Sequence, residues 1–298
     1  MKTITEVIQQ LNQFQMKEAY DAVEKAGIEA QKPSIRARVY EAVDKGILKK
    51  IAKGVYQNNN CLLIQGDGKD LSFLEDGSID AIITDHPYDI KAANNGGDRH
   101  FATYDCFQYT QEDFNEKARV LKDGSFLVEF LPEESALNFE YLYKIKKMAE
   151  AAGFKYYAKV PWKKGDFISN CGRKSKNTED VMIFSKGEPR ALRVDAKKDK
   201  ADPSVKHFMK GCNGMLPTAF DYAKPAKKDM LHQAEKPVEL LEAILDYVTK
   251  EDEIVLDQFA GSGVLGEACI KKNRRCILIE LADEFVQKIV NRLKLVQA

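Results

Sequence analysis

Short runs of apolar residues alternate along most of this chain with segments whose apolar positions recur every three or four residues. The runs are wholly or almost wholly apolar at 79–83, 126–130, 181–184, 254–256 and 276–279. Continuous runs of this kind are typical of strands that are buried on both faces, and the runs at 79–83 and 254–256 are predicted to be parallel strands. Helical spacing at 141–151 and from Val264 onward predicts helices between and after them. The alternation predicts an α/β fold with helices on both faces of the sheet.

Residues 1–58 follow a different pattern and are predicted to form a separate unit. Apolar residues recur at helical spacing in its first part, at Ile4, Val7, Ile8, Leu11 and Phe14. The later elements are a second helix over 16–26 ending at Gly27, a third over 35–45 between a Ser34 cap and Gly46, and a hairpin over 47–57 around Gly54. Three helices and a hairpin resemble a winged helix-turn-helix domain.

The loop after the run 254–256 is rich in glycine. Gly261, Gly263 and Gly266 satisfy the pattern G-x-G-x-x-G, and Glu280 closes the next predicted strand. Glycine allows a tight turn and a close approach of the backbone to a cofactor, and an acidic residue at the next strand end suits ribose hydroxyls. Alone, this pattern also fits a nicotinamide or flavin site, or a strand-to-helix turn that binds no ligand.

The loop after the run 79–83 reads Thr84-Asp85-His86-Pro87-Tyr88-Asp89. The exocyclic nitrogen of a nucleobase is a poor nucleophile because its lone pair is delocalised into the ring. Hydrogen bonds accepted from its two N–H groups free that lone pair, and Asp85 and the backbone carbonyl of residue 86 could accept them while Tyr88 stacks on the base. The alternative for an isolated motif of this length is an Asx-type turn with a buried Tyr.

Together the two loops resemble those of the S-adenosylmethionine-dependent amino-methyltransferases of DNA. That family's base-gripping motif is (D/N/S)-P-P-(Y/F/W), and its cofactor motif F-x-G-x-G matches residues 259–263. The base-gripping motif comes first here, which is similar to the β-class order. Further matches lie at Gln65-Gly66-Asp67, Leu71, Leu74, Ser78-Ile79-Asp80, His232-Gln233-Ala234-Glu235-Lys236-Pro237, Leu240-Leu241 and 274–280. The resemblance covers about residues 61–190 and 230–295.

The resemblance implies a Rossmann-like methyltransferase domain over 61–298, with a target-recognition insertion around 163–230. It implies methyl transfer from S-adenosylmethionine to the exocyclic amine of adenine in double-stranded DNA, because Asp85 resembles the adenine-modifying members more than Ser would. The base would be held by Asp85, His86, Pro87 and Tyr88. The cofactor would be held by Asp67, Lys236, Asp257, Phe259, Gly261, Ser262, Gly263 and Glu280.

One residue departs from the family's pattern, since His86 stands where the family has its first proline. The expected contribution of this position is a main-chain carbonyl, which His retains, and Pro87 biases residue 86 toward extended geometry. Three interpretations stay open: a tolerated substitution, an imidazole that takes a proton or contacts the base, and reduced or lost activity.

Basic residues are segregated along the chain, although 46 Lys and Arg balance 46 Asp and Glu. Positive side chains interleaved with aromatic ones favour a nucleic-acid groove, while a solvated face is the alternative. Trp162, the single Trp, is predicted to be a core residue rather than a stacking one. The predicted DNA contacts are Arg36, Arg38, Lys49, Lys53, Lys163, Lys164, Arg173 and Lys174.

The remaining composition indicates a cytoplasmic enzyme. Six Cys occur without C-x-x-C or clustered His, so neither a metal site nor a disulfide framework is predicted, and no long apolar run suggests a membrane span. Residues 94–98 could form a lid or a plain surface loop. Family members of this order often pair, so a homodimer is an open prospect, as is a restriction partner.

Three other functions stay open from the sequence. The chain could be a catalytically silent regulator that binds DNA through residues 1–58, or a methyltransferase for the cytosine amine or for RNA. The unit formed by residues 1–58 could also dock protein rather than DNA.

Overall fold

The computed structural model describes most of the chain. The described residues are 3–9, 13–44, 48–53, 55–57, 61–88, 106–165, 177–193, 196–198, 201–202, 204, 206–208, 210–226, 230–231 and 234–297. Within them, no helix is long and apolar enough to cross a membrane.

The first unit combines three helices with a small antiparallel sheet. Its elements are α1 (Ile4–Gln9), β1 (Gln13–Gln15), α2 (Met16–Lys25), α3 (Lys32–Asp44), β2 (Lys49–Ala52) and β3 (Val55–Gln57). The strand order is β1-β3-β2, so the predicted hairpin is present. Its core contains Ile8, Val23, Val39 and Leu48 and is separate from the other two cores. The assignment as a winged helix stays a prediction.

Two details of the first unit differ from the sequence prediction. Phe14 lies in β1, paired with Tyr56, and not on the first helix. Its side chain is buried in the unit's core. The prediction of a helix was wrong here because an apolar residue three or four positions from other apolar residues also fits one face of a strand. Helix α3 begins at Lys32, so Ser34 lies in its first turn and not at its cap. Leu11, Gly46 and Gly54 lie outside the described residues.

The second unit begins at the strand that follows. Its elements are β4 (Cys61–Gln65), β5 (Ile79–Thr84), α4 (Gln111–Val120), β6 (Leu121–Pro132), α5 (Phe139–Ala151), β7 (Phe154–Lys163), β8 (Thr178–Lys186), β9 (Ala196–Lys198), β10 (Lys206–Phe208), β11 (Phe220–Asp221), α6 (Val238–Val248), β12 (Ile254–Asp257), α7 (Val264–Lys271), β13 (Arg275–Glu280) and α8 (Asp283–Gln297). The five predicted runs lie within β5, β6, β8, β12 and β13.

Across the described residues, one large mixed sheet organises this unit, in the order β11-β7-β8-β6-β5-β12-β13-β4. Strands β6, β5, β12, β13 and β4 are parallel neighbours, while β8 runs antiparallel to β6 and β7. From β5 the chain moves outward to β6, whereas β12 leads to β13 on the other side. Strands β5 and β12 therefore meet at a topological switch point, where open sheets of this kind bind ligands.

Helices cover both faces of the sheet, as predicted. Successive residues of the central strands alternate between two cores: Val255 packs toward α6, α7 and α8, while Ile254 and Leu256 pack toward α4 and α5. The same alternation occurs in β13, with Cys276 on one side and Ile277 on the other. This burial on both faces explains why the strands are continuous apolar runs.

Candidate active site at the ends of two adjacent strands

The residues 85–88, here called the base-gripping loop, follow β5, and residues 257–263, the cofactor loop, begin at the end of β12. These strands are direct neighbours in the sheet, with Val255 opposite Ala81 and Leu256 opposite Ile82. A buried hydrogen bond ties their ends together, because Thr84 Oγ1 donates to Asp257 Oδ1 over 3.0 Å. The two loops that the sequence placed 173 residues apart therefore lie side by side.

Asp85 lies within a group of charged side chains. Lys236 Nζ donates to Asp85 Oδ2 and is 3.1 Å from Glu179 Oε2, and Lys164 Nζ also donates to Glu179. The Asp85 side chain is 28% exposed, whereas that of Lys236 is 7% exposed. Burial raises the pKa of Asp85, and the positive charge of Lys236 opposes the rise. Asp85 is thus the accessible member of the group.

Lys236 was predicted to contact the cofactor, and the structure places its ammonium group on Asp85. Burial disfavours this charge, but Asp85 and Glu179 outweigh that effect and raise the pKa of Lys236. The ammonium group also lies 5.1 Å from the centre of the Phe130 ring and 5.7 Å from that of Trp162. A cation held by two carboxylates and two aromatic faces stays charged.

The rest of the base-gripping loop is anchored through its neighbours. Pro87 accepts a backbone hydrogen bond from Phe107 N over 2.9 Å, and Tyr88 is half-buried in a bridge with Phe107. His86 is only 1% exposed. Its ring lies 4.0 Å from the Tyr109 ring, centre to centre. The imidazole is therefore enclosed by protein, which argues against its predicted alternative role as a contact to the base.

Two glycines shape the cofactor loop. Gly261 and Gly263 have φ angles of +53° and +71°, which L residues with a side chain rarely adopt. Among the described residues, a Cβ atom on Gly261 would meet only the Phe259 carbonyl, at 4.0 Å, so they leave space beside the backbone there. Ser262 lies between the glycines and is buried, with Arg292 NH1 3.4 Å from its Oγ.

Carboxylates stand at the ends of the strands next to this loop. Glu280, at the end of β13, accepts hydrogen bonds from Gly261 N and Ala282 N over 2.7 and 2.9 Å, and burial raises its pKa. Asp67, after β4, is exposed and accepts from Lys69 N. Asp257 is buried and accepts from Phe259 N. Burial raises the pKa of Asp257 to about 7.

A set of buried polar residues beneath the base-gripping loop was not identified from the sequence. It consists of His86, Tyr109, Lys117, Glu129, Tyr141 and Gln258, and is called the buried network below. Lys117 Nζ lies 2.9 Å from Glu129 Oε1, and His86 Nε2 lies 2.6 Å from the Tyr141 hydroxyl. The available signal was Glu129, a carboxylate in the middle of an apolar strand, whereas Lys117 gives none because α4 reads as an ordinary amphipathic helix.

The predicted DNA contacts fall in several places. Arg36 and Arg38 are exposed on α3; Arg36 donates to the Tyr20 hydroxyl, and Arg38 pairs with Glu41 at 2.5 Å. Lys49 is in β2, Lys53 is exposed in the turn after it, and Lys163 is exposed at the end of β7. Arg173 and Lys174 lie outside the described residues, as do residues 94–98. These positions leave their role in DNA binding a prediction.

Two further predictions concern packing and thiols. Trp162 is 1% exposed and its Nε1 donates to the Tyr222 carbonyl over 2.8 Å, which confirms it as a core residue. Cys61, Cys212 and Cys269 carry free thiols. Cys171 is outside the described residues, within which no group of three or more His, Cys, Asp or Glu side chains could hold a metal ion.

Comparisons with known proteins bear on the family and the fold. A family model described as DNA methylase matches residues 79–291. The type II methyltransferase M.HpaI of Haemophilus parainfluenzae is 28% identical over 231 residues, which cover 76% of this chain and 71% of that protein.

Two solved structures share the fold. The M1.HpyAVI–SAM complex has a TM-score of 0.55 at 22% identity, over 78% of this chain and 98% of its own. The cytosine-N4-specific PvuII DNA methyltransferase has a TM-score of 0.54 at 18% identity, over 78% of this chain and 86% of its own. The family model spans well over half of the chain and includes both loops, so this protein belongs to the N6/N4 family of DNA methylases.

Proposed function

We propose that this protein transfers a methyl group from S-adenosylmethionine to the exocyclic amine of adenine in double-stranded DNA. The observation that carries the proposal is the adjacency of Asp85 and the cofactor loop, joined by the Thr84–Asp257 hydrogen bond. An acceptor for an amine and a glycine-rich cofactor loop then face one space at the switch point of the sheet. The base must leave the DNA stack to reach it.

The residues around the cofactor loop fit S-adenosylmethionine. The open space beside Gly261 admits a ligand close to the backbone. Glu280 and Asp67 provide carboxylate oxygens for ribose hydroxyls and the adenine amine, and the half-buried Phe259 provides an apolar surface. When bound, the cofactor would supply a methyl group on positively charged sulfur.

Asp85 is the proposed acceptor for one N–H of the target amine. Lys236 engages its Oδ2 atom, so the carboxylate is held in one orientation and Oδ1 can accept from the base. The His86 carbonyl would accept the second N–H, and Tyr88 would stack on the ring. These contacts direct the nitrogen lone pair toward the methyl group, and the rate enhancement comes from positioning rather than from a covalent intermediate.

Adenine, rather than cytosine, is proposed from Asp85 alone, because Asp at this position, rather than Ser, resembles the adenine-modifying members of the family more than the cytosine-modifying ones. A cytosine-N4-specific enzyme has the same fold, so product analysis must decide. Residues 1–58 are proposed to be a winged-helix domain that binds the duplex, with α3 carrying Arg36 and Arg38 toward it. Lys163 and Lys164 would contact the DNA backbone near the active site.

The test is incubation of the full chain with mixed-sequence duplex DNA and methyl-labelled S-adenosylmethionine, followed by digestion to nucleosides and mass analysis. We expect label on the exocyclic amine of adenine. Asp85→Ala should reduce transfer at least about 1,000-fold, because the lone pair loses its main acceptor. Cofactor affinity should change little. The matched control is Asp123→Ala, whose side chain is 93% exposed.

Each outcome discriminates among the alternatives. Label on cytosine would correct the base, and label only with RNA would correct the nucleic acid. Absence of label, with cofactor binding shown by calorimetry, would favour a silent regulator. An equal loss of transfer and cofactor binding in Asp85→Ala would contradict the role assigned to Asp85.

A further inference from the structure

Two opposite charges and an imidazole are enclosed beneath the active site, where none of them can reach solvent. Lys117 and Glu129 have fully buried side chains, and so has His86. Burying a carboxylate and an ammonium group costs several kcal/mol each, so a pair of well-packed apolar residues would give comparable or greater stability. Their presence therefore calls for an explanation other than stability.

The buried network joins elements that carry the two reacting partners. Lys117 Nζ, from α4, donates to Gln258 Oε1 over 2.6 Å, and Gln258 follows Asp257 in the cofactor loop. Gln258 Nε2 in turn donates to the Gly68 carbonyl over 2.6 Å, in the loop after β4. Glu129, from β6, links Lys117 to His86 in the base-gripping loop.

The donors and acceptors around His86 select one arrangement. Burial raises the pKa of the Tyr141 hydroxyl, so its proton stays on and needs an acceptor. That hydroxyl already accepts from Tyr109 N over 3.2 Å, and His86 Nε2 lies 2.6 Å away as the available acceptor. The imidazole proton is then on Nδ1, which faces Glu129 Oε2 at 3.7 Å.

Nδ1 of His86 is a buried polar atom without a hydrogen-bond partner among the described residues. The distance to Glu129 is longer than a hydrogen bond, so a shift of well under 1 Å in the base-gripping loop would complete this contact. Catalytic hydrogen bonds are often long without substrate and tighten in the complex.

We propose that the buried network positions the base-gripping loop relative to the cofactor loop, with His86 as the residue through which the Lys117–Glu129 pair acts. The inference rests on the proposed methyl transfer, and it assigns His86 an anchoring role at the position where the family has proline. The proline ring of the family constrains the backbone angle φ at this position, whereas the imidazole ring of His86 is positioned by Tyr141 and Glu129. The network thereby sets the separation between the target amine and the methyl donor.

The first test removes both buried charges together. Lys117→Met/Glu129→Gln keeps the side-chain volumes and leaves Tyr109 an oxygen acceptor, so the fold should survive. We expect kcat for methyl transfer to fall about 10- to 100-fold, because a displacement near 1 Å costs about that much. The KM for S-adenosylmethionine should stay within about threefold, since Gln258 keeps its hydrogen bond to the Gly68 carbonyl and the cofactor loop, although it opens more often, keeps its conformation.

The second readout is hydrogen exchange of the backbone amides, measured by mass spectrometry on wild type and variant. Peptides that cover 84–88 and 257–261 should both exchange about tenfold faster in the double variant, because both loops lose their shared anchor. Unchanged exchange in both peptides overturns the proposal whatever the activity. If the wild type transfers no methyl group, the proposed function fails, and the exchange rates still decide on the network.

A milder pair of variants covers the case in which the double variant does not fold. Tyr141→Phe removes one hydroxyl group from the buried network. Tyr143→Phe removes a hydroxyl group from the same helix but outside the network, at a residue that is 61% exposed. Tyr141→Phe should lower kcat about 3- to 10-fold and speed exchange at 84–88, and Tyr143→Phe should do neither. Equal behaviour of the two variants would overturn the proposal.

Discussion

At the scale of single residues, Asp257 connects the active site to the stability of the fold. An aspartate in the unfolded chain has a pKa of about 3.9, whereas burial raises that of Asp257 to about 7. Between these values the folded protein binds more protons than the unfolded chain, so the free energy of unfolding falls as the pH rises. Above about pH 7, Asp257 is ionised in both states, and the free energy of unfolding falls no further on its account.

Asp257→Asn should remove this pH dependence. Asn retains a carbonyl oxygen that can accept from Thr84 and Phe259, and it does not titrate. Since one pKa unit corresponds to about 1.4 kcal/mol, the variant should gain about 2–3 kcal/mol of unfolding free energy over wild type between pH 5 and pH 8. Urea unfolding of both proteins across this range measures the difference. Asp123→Asn is the exposed control, and a gain that does not vary with pH would contradict the assignment.

The site residues that could be predicted from the sequence are those whose surroundings are formed by their neighbours along the chain. Asp85 and Gly261 each sit in a short loop after a buried strand, so their neighbours in sequence also define their surroundings. Lys117 and Glu129 belong to different elements, and only the packing of α4 against β6 brings their charges within 2.9 Å. Lys236 shows the same limit, because its motif was recognised while its contact with Asp85, 151 residues away, was not.

At the scale of elements, the loop after β4 packs closely against the cofactor loop. A Cβ atom on Gly68 would lie 1.9 Å from the Gln258 carbonyl oxygen, a distance at which one of the two loops must move. For Gly66, two residues earlier, no atom of the described residues would lie within 4 Å of such a Cβ. The two glycines therefore form a matched pair within one loop.

Gly68→Ala should weaken cofactor binding and lower stability, whereas Gly66→Ala should do neither. Overpacking of this kind costs about 1–3 kcal/mol, which corresponds to a Tm lower by about 2–10 °C for a chain of this size. We expect the Kd for S-adenosylmethionine to rise at least about tenfold, because the added methyl group displaces Gln258 and the adjacent Phe259 in the cofactor loop. Thermal unfolding and calorimetry test both statements, and a normal Kd in Gly68→Ala would show that the loops pack independently.

Elements with a single dominant pattern were predicted well, and ambiguous ones were not. The central strands are apolar on both faces, so they could not be mistaken for amphipathic helices of similar length. Phe14 was ambiguous, because one buried aromatic residue satisfies a helical period and a strand period equally. Backbone pairing with Tyr56 places Phe14 in a strand, and that partner lies 42 positions away in the chain, too far for a local sequence pattern to detect.

At the scale of the whole molecule, the two units have separate cores and carry different predicted functions. No residue before Cys61 belongs to either core of the large sheet, within the described part of the chain. The candidate active site is therefore built within the second unit, and residues 1–58 are proposed to act in DNA binding. The side chains of Arg36 and Arg38 on α3 are exposed, and their contacts with the Tyr20 hydroxyl and with Glu41 are surface interactions of little energy.

Replacing Arg36 and Arg38 with Ala should weaken binding to duplex DNA without affecting the cofactor. Each phosphate contact contributes about 0.9 to the slope of log K against log salt concentration, so the loss of two contacts should flatten the slope by about 2. Fluorescence anisotropy with a labelled duplex at several salt concentrations measures it. The control is Lys271→Ala/Lys288→Ala, which removes two charges from α7 and α8, where both pair with glutamates one turn away. If the two double variants have equal slopes, Arg36 and Arg38 do not contact phosphates, a result that would argue for a protein-docking role of the first unit.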